Sequence, residues 1–382
     1  MSEWKKVKLG DCCEITSSKR IFFSEYSDNG IPFYRSKEII ELSKGQSISE
    51  PLYITENRYN EIKQKFGIPQ ENDILLTSVG SIGIPFMVNK RDKFYFKDGN
   101  LTWLRNYKDF VFPCYIFYWL KSNEAFNILN NIALGAAQKA LTIVKLKDIE
   151  VPLPSINAQH RIATILSRYD SLIENYQKQI KLLEEAAQRL YKEWFVDLHF
   201  PGHENVKIVD GMPEGWEKKS VTDVLEIKYG KDHKLLKDGT NPVYGTGGVM
   251  RYVEKSLCTG ESVLIPRKGS LNNILLVDGT FWTIDTMFYS IPKEDNVAKI
   301  VYFYLKGVDM YSFNIGAAVP SMTVNILSGM KLLIPKDDIR KEFEKIVSIY
   351  FIHVQSLQSQ IRILTEARDR LLPKLMSGEI EI

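Results

Sequence analysis

The 382-residue chain has little cysteine. Cys12, Cys13, Cys114 and Cys258 include no CxxC pair, so no disulfide framework is expected, and the thiols read as reduced and mostly buried in a cytoplasmic protein. Long apolar runs are missing too. The longest uncharged one, Phe110–Leu120, is well short of the ~18 residues a membrane span requires. Met1-Ser2-Glu3-Trp4-Lys5-Lys6 has no apolar stretch behind its charges, so no secretion signal is expected. Nor is there an excess of one charge: 50 basic and 47 acidic side chains leave a net +3. Any nucleic-acid face must therefore arise by local segregation of charge. With 44% hydrophobic and 25% charged residues, the composition is that of a globular chain of two or three domains.

What the chain does have is a heptad seam. Ile162, Leu166, Tyr169, Ile173, Tyr176, Ile180, Leu183, Ala187, Leu190 and Trp194 are spaced alternately by four and three residues. That is the pattern of a coiled-coil helix, narrower than the stripe of a globular one. Adding 181 to each number gives Phe343, Val347, Tyr350, Val354, Leu357, Ile361, Leu364, Arg368, Leu371 and Leu375. Only Arg368 breaks this second seam, either snorkelling or marking a partner contact. The first seam predicts ~50 Å of helix at 1.5 Å per residue.

The rest of the chain repeats as well. Trp4, Lys6, Asp11, Glu14 and Ile15 recur as Trp216, Lys218, Asp223, Glu226 and Ile227, at an offset of 212. Further on, Gly135-Ala136-Ala137, Thr142 and Pro154 recur as Gly316-Ala317-Ala318, Thr323 and Pro335, at an offset of 181. The first module therefore carries 31 extra residues, while the helices are locked in length. Apolar residues at 9, 12, 13 and 15 predict a helical turn leading into a strand. Short aromatic and β-branched segments follow, among them Ile31–Arg35, Asp73–Thr77, Phe94–Phe96, Pro242–Tyr244, Ser262–Ile265 and Gly279–Thr283. They predict one compact mixed sheet per module, with helices near Val111–Lys121 and Asn296–Lys306. Proline and glycine between His199 and Gly215 end the first helix and form a linker.

This layout resembles the specificity subunit of type I restriction–modification systems. Besides the helix pair, the resemblance is carried by Pro242-Val243-Tyr244-Gly245-Thr246-Gly247-Gly248, by Gly260 to Ser270 and by Phe281-Trp282-Thr283-Ile284-Asp285-Thr286. Asn72 to Ser81 fits the middle element in the first module, which has no counterpart of Tyr-Gly-Thr-Gly-Gly. The resemblance covers essentially the whole chain. It implies an α+β protein with two tandem mixed α/β recognition domains joined by two long antiparallel coiled-coil helices, a pseudo-two-fold repeat. The expected bounds are 1–154 and 199–335 for the recognition domains, the second including the linker, with spacer helices at 155–198 and 336–382. It further implies reading of a two-part, asymmetric double-stranded DNA site and docking of methyltransferase subunits, two of them, with restriction subunits joining through that assembly. Catalysis and S-adenosylmethionine would belong to the partners, so no cofactor, metal or catalytic residue is expected here.

Candidate DNA contacts follow from side-chain chemistry. Arg267, Lys268, Ser270, Asn272 and Asn273 combine cations and amides beside a glycine; Arg and Lys suit guanine edges or phosphates, and Asn suits adenine. A solvated turn is the alternative. Tyr244, Gly245, Thr246, Gly247 and Gly248 form either a plain turn or a loop against the DNA backbone; without Gly-Lys-Ser/Thr they are not a nucleotide-phosphate loop. Lys231 joins this second set. In the first module Thr77, Ser78 and Ser81 occupy the matching place without positive charge, leaving Lys19, Arg20, Tyr34, Arg35 and Ser36 to supply contacts. Gln138 and Lys139 in one repeat, and Ser321 in the other, lie on a shared loop that serves as recognition face or simple connection. Three other patterns are rejected. Val243 breaks the methyltransferase-like Asn241-Pro242-Val243-Tyr244, Pro201-Gly202 separates His199 from His203 as a zinc pair, and Glu217-Lys218-Lys219 is the repeated module start, not a nuclease motif. A fused methyltransferase–nuclease, or a coiled-coil adaptor with no DNA role, are the competing readings.

Overall fold

A computed structural model describes residues 4–46, 48–134, 140–313 and 321–380. The chain divides into two compact units, one of residues 1–178 with 357–382 and one of residues 179–356. Among the described residues no helix is long and apolar enough to cross a membrane.

Two 40-residue helices, Ile156–Phe195 and Asp337–Met376, each contribute to both units; each is ~60 Å long at 1.5 Å per residue. Their seams are inward-facing. In unit 1, Ile162, Leu166, Ile173, Leu357 and Leu375 are buried, and Tyr169, Tyr176, Ile361, Leu364 and Leu371 are half-buried. Ile162 and Leu166 share a hydrophobic cluster with Leu371, Leu372, Leu375 and Met376, so the start of one helix lies with the end of the other. In unit 2, Ala187, Trp194, Phe343, Val347 and Val354 are buried, and Ile180, Leu183, Leu190 and Tyr350 are half-buried. Each fully buried large apolar side chain contributes about 1.5–3 kcal/mol. The same clusters take in module side chains, Tyr115 and Trp119 in unit 1 and Phe303 in unit 2.

Arg368 interrupts the seam for an internal reason. Its Nη1 donates to Asp170 Oδ1 at 2.5 Å, and Asp170 Oδ2 accepts from Tyr118 Oη at 2.9 Å and Lys121 Nζ at 3.3 Å. Burial pushes the Asp170 carboxyl up, but Lys121 and Arg368 outweigh it and hold the pKa below the ordinary value. The arginine therefore neutralises a half-buried carboxylate inside unit 1.

The two modules are built alike. In unit 1, Lys5–Lys8 pairs antiparallel with Glu150–Leu153, and a helical turn, Leu9–Cys12, leads into the strand Glu14–Thr16 as predicted. That strand opens an antiparallel sheet ordered Glu14–Thr16, Leu101–Arg105, Ile74–Thr77, Pro85–Met87. A second sheet runs Tyr26–Ser27, Tyr53–Ile54, Ile31–Tyr34, Tyr95–Phe96, its last two strands parallel. Unit 2 repeats the ladder with Glu217–Ser220 and Lys331–Ile334, and the first sheet with Leu225–Tyr229, Met287–Pro292, Ser262–Pro266 and Leu275–Val277. Its second sheet is Gly248–Val253, Asp238–Gly245, Thr280–Thr283 and Cys258–Thr259, again with one parallel pair, Val243 opposite Trp282.

The single mixed sheet expected in each module is thus two sheets and a ladder. Ile74–Thr77 and Ser262–Pro266 are buried at every position, so both faces of these strands must be covered, which one half-exposed sheet cannot do. The helices Pro113–Leu120 and Ala298–Lys306 lie within the predicted segments. Thr142 and Thr323, paired by the repeat, both cap short helices, accepting from the N–H groups of Lys145 and Ile326. Most of the extra length in the first module lies between Tyr34 and Ile74, where the helices Ser36–Ser43 and Glu56–Lys65 replace the hairpin of unit 2.

Candidate nucleic-acid interface

Parallel neighbours end at the same sheet edge, so the segments leaving each parallel pair emerge together. In unit 1 Lys97 N–H donates to Tyr34 O at 2.8 Å, and in unit 2 Ile284 N–H donates to Tyr244 O at 3.1 Å. A third loop joins each edge. Leu141 N–H donates to Ser78 O, and Met322 N–H to Arg267 O, both at 2.9 Å, beside the matched bridges Val79–Ala140 and Lys268–Ser321. Ser78, Val79 and Gly80 therefore correspond to Arg267, Lys268 and Gly269. Both glycines have left-handed φ, +78° and +81°, which a glycine adopts without the Cβ penalty.

In unit 2 several predicted contacts turn out to brace the loops. Tyr244, Gly245, Thr246, Gly247 and Gly248 form the turn of the hairpin, and Asn273 Nδ2 donates to Thr246 O at 2.7 Å. Asn272 Oδ1 accepts from Met310 N–H at 2.8 Å. The Arg267 guanidinium lies 4.7 Å from the Tyr229 ring centroid and 5.2 Å from that of Phe288, and its Nη1 donates to Asp285 O at 2.7 Å. One arm of its fork is engaged inside the module. Arg267→Ala is accordingly expected to destabilise unit 2 by about 1–2 kcal/mol through lost cation–π and hydrogen-bond contacts, read as a fall in chemical-denaturation midpoint; an unchanged midpoint would refute this bracing role.

The exposed groups on this edge include Lys231, Lys234, Lys268 and Ser270, with Asp232, Leu235, Asn272 and Asp285 exposed beside them. The lysines form no ion pair with a described residue. Lys231 is pinned through its backbone: its N–H donates to Thr283 O and its carbonyl accepts from Trp282 Nε1, both at 2.9 Å. Beside it, a Cβ on Gly230 would fall 2.0 Å from Ile284 O, so only glycine lets this loop lie so close to the sheet.

Unit 1 is less basic at its edge. Lys19 N–H donates to Tyr95 Oη at 2.7 Å while its ammonium sits 5.1 Å from the Phe66 ring. Arg20 Nε donates to Asp98 at 2.8 Å. Arg35 Nη2 donates to the buried Glu38 at 2.6 Å, and those hydrogen bonds hold the guanidinium pKa above its ordinary value. Ser36 Oγ donates to Asn100 O, and Tyr34 stacks on Phe94 with centroids 4.6 Å apart. Thr77 and Ser78 are buried: Thr77 Oγ1 accepts from Ile84 N–H at 2.9 Å, and Ser78 Oγ lies 2.6 Å from Thr102 Oγ1. From this segment the exposed residues are Val79, Gly80 and Ser81. Gln138 and Lys139 lie outside the described residues.

Lys234 stands on the same loop as Lys231, and Tyr229 ends the strand before it, although the sequence did not single them out. The short spacing Lys231-Asp232-His233-Lys234, with Lys237 following, was the available signal. Among the described residues no group of three or more His, Cys, Asp or Glu side chains is placed to hold a metal. What each edge offers is exposed amines and hydroxyls on braced loops, the chemistry of phosphate and base-edge contact.

Residues 1–185 and 213–365 match the family described as "Type I restriction modification DNA specificity domain". The chain is 28% identical to the type I restriction enzyme MjaIX specificity subunit of Methanocaldococcus jannaschii, over all of this chain and 94% of that one. It is 22% identical to the HindI specificity subunit of Haemophilus influenzae, over the full length of both. The fold is similar to a crystal structure of a type I restriction–modification S subunit from M. genitalium, with a TM-score of 0.64 at 20% identity, covering 97% of this chain and 96% of that one.

Proposed function

Because the chain belongs to the type I restriction–modification DNA specificity family, we propose that it is a non-catalytic subunit in which each module reads one half of an asymmetric, two-part site on double-stranded DNA. The observation that carries this reading is the same loop edge recurring in both modules with unlike side chains: free lysines in unit 2, engaged Lys19 and Arg20 with exposed Ser81 in unit 1. Unlike surfaces read unlike half-sites, so the target is non-palindromic. The two seams form an antiparallel coiled coil that spaces the modules. Its outer faces dock two methyltransferase subunits, which bring S-adenosylmethionine, and restriction subunits join through them. The assembly works in the cytoplasm.

Methylome sequencing of a host carrying this chain with its methyltransferase tests the reading: a bipartite, gapped motif that vanishes without the chain is expected. A methylation pattern independent of the chain refutes it and favours an adaptor without a DNA role. With the target in hand, Lys231→Ala with Lys268→Ala should weaken binding by the assembled complex at all sequences. The slope of log affinity against log salt should fall by about 2; an unchanged slope would take these lysines off the phosphates.

A further inference from the structure

We infer that each module carries an apolar base-contacting tip beside its basic residues: Phe23, flanked by Phe22, in unit 1 and Leu235 in unit 2, each meeting a thymine methyl group in the major groove. The inference rests on the reading of the loop edges as a DNA interface. The loop concerned follows the strands Glu14–Thr16 and Leu225–Tyr229. At the offset of 212 that relates the module starts, Lys19 corresponds to Lys231 and Phe23 to Leu235. Phe23 is 86% exposed, Phe22 61% and Leu235 98%.

Single exposed apolar residues are ordinary on protein surfaces. These differ in two ways. They recur at one place in two modules whose loops otherwise share little sequence, and each sits on a braced turn. In unit 1 Glu25 N–H donates to Phe22 O at 2.9 Å and Phe22 N–H to Glu25 Oε2 at 2.7 Å, while Tyr26 meets the Phe23 ring edge-on at 5.6 Å. In unit 2 Leu236 N–H donates to His233 O at 3.1 Å, Lys234 N–H to Asp232 Oδ1 at 2.9 Å, and Arg251 Nη2 to Leu236 O at 2.9 Å. The neighbouring apolar residues already satisfy the core: Ile21 clusters with Ile31 and Phe33, and Leu236 packs on Val243 and Val253. The tips are therefore surplus to folding and held outward.

Their setting defines the ligand. Lys19 and Arg20 precede the first tip, and Lys231 and Lys234 the second. An apolar tip behind cations fits an anionic frame enclosing a small apolar group. On the major-groove edges of duplex DNA, the one apolar group is the C5-methyl of thymine.

The test uses complexes of methyltransferase with the wild-type chain, Leu235→Ala, or Phe22→Ala/Phe23→Ala. Binding is measured on duplexes carrying the sequenced target with each thymine in turn replaced by uracil, which lacks the methyl. Wild type should lose about fourfold in affinity, the equivalent of one buried methyl group, at one uracil position in each half-site. Leu235→Ala should abolish that sensitivity only in the half-site of the second module, and Phe22→Ala/Phe23→Ala only in the other, with melting temperatures unchanged. Uracil sensitivity absent from wild type, its persistence in both variants, or a half-site without thymine overturns the inference. Failure to find any chain-dependent bipartite target would instead overturn the interface reading on which it rests.

Discussion

Lys299→Met should destabilise unit 2 by about 3–5 kcal/mol, the cost of breaking a buried ion pair from one side. Lys299 is 7% exposed on the helix Ala298–Lys306, and its ammonium donates both to Glu261, at the start of the central strand, and to Glu344 on the second long helix. One cation thus ties three elements together. Burial pulls the Lys299 pKa down, yet Glu261 and Glu344 outweigh it and hold it above the ordinary lysine value. Its contribution is therefore present below that value and lost as pH rises through and beyond it. Burial in turn pushes Glu261 above the ordinary carboxylate value. In Lys299→Met the two carboxylates are left facing one another, and protonation relieves the repulsion. The deficit relative to wild type should shrink as pH falls through the carboxylate range. Chemical denaturation at pH 7.5 and at acid pH checks both statements, and a variant as stable as wild type at pH 7.5 would sink the argument. Adding Glu261→Leu and Glu344→Leu to Lys299→Met should recover much of the loss, since no buried charge then remains.

Nothing in the sequence pointed to that triad. Glu261, Lys299 and Glu344 are far apart in the chain and stand on a strand and two helices; charges paired only by tertiary packing leave no periodic trace. The parallel strand pairs were equally hidden. Tyr34 meets Phe96 and Tyr244 meets Thr283, and each strand alone reads simply as β-rich. The long helices were legible because a buried seam repeats every seven residues regardless of what covers it, and Ile162 to Trp194 needed no knowledge of the partner surface. The module starts and the Thr142 and Thr323 caps were legible for the same reason, being local chemistry met twice. For these loops, the sequence marked segments that the fold brings together but not which of their side chains are exposed and which brace their neighbours. Arg267, Asn272, Asn273, Thr77 and Ser78 are polar residues on or beside those loops, and whether such a side chain faces water or braces its neighbours depends on Tyr229, Asp309, Thr246 and Thr102, which come from elsewhere in the fold. Arg368 is the same case on a helix: a break in the seam by pattern, a partner for Asp170 by packing.

Inserting one heptad into both long helices, after Lys178 and after Ser356, should cut methylation of the natural target at least 100-fold and create a new target with a longer gap. These points are where the two units divide, and equal insertion keeps the seams in phase. Seven residues add ~10.5 Å at 1.5 Å per residue. With ~34–36 Å for each 10–10.5 base pairs of DNA, the gap should grow by about three base pairs, while each half-site keeps its own sequence because neither loop edge is altered. The original spacing then no longer matches, and only one half-site can be engaged at a time. Since each mismatched base pair costs ~1–3 kcal/mol, losing an entire half-site exceeds the two decades stated. Inserting the heptad into one helix alone should be worse, because the inserted turns and their two seam positions then lack partners and no gap length restores the match. Methylome sequencing reads all three outcomes. If the two-helix variant methylates the natural target at wild-type efficiency, the helices do not set the spacing. If it shifts the gap as stated, the distance between the bases that are read is written in the helices, and their identity in the loops.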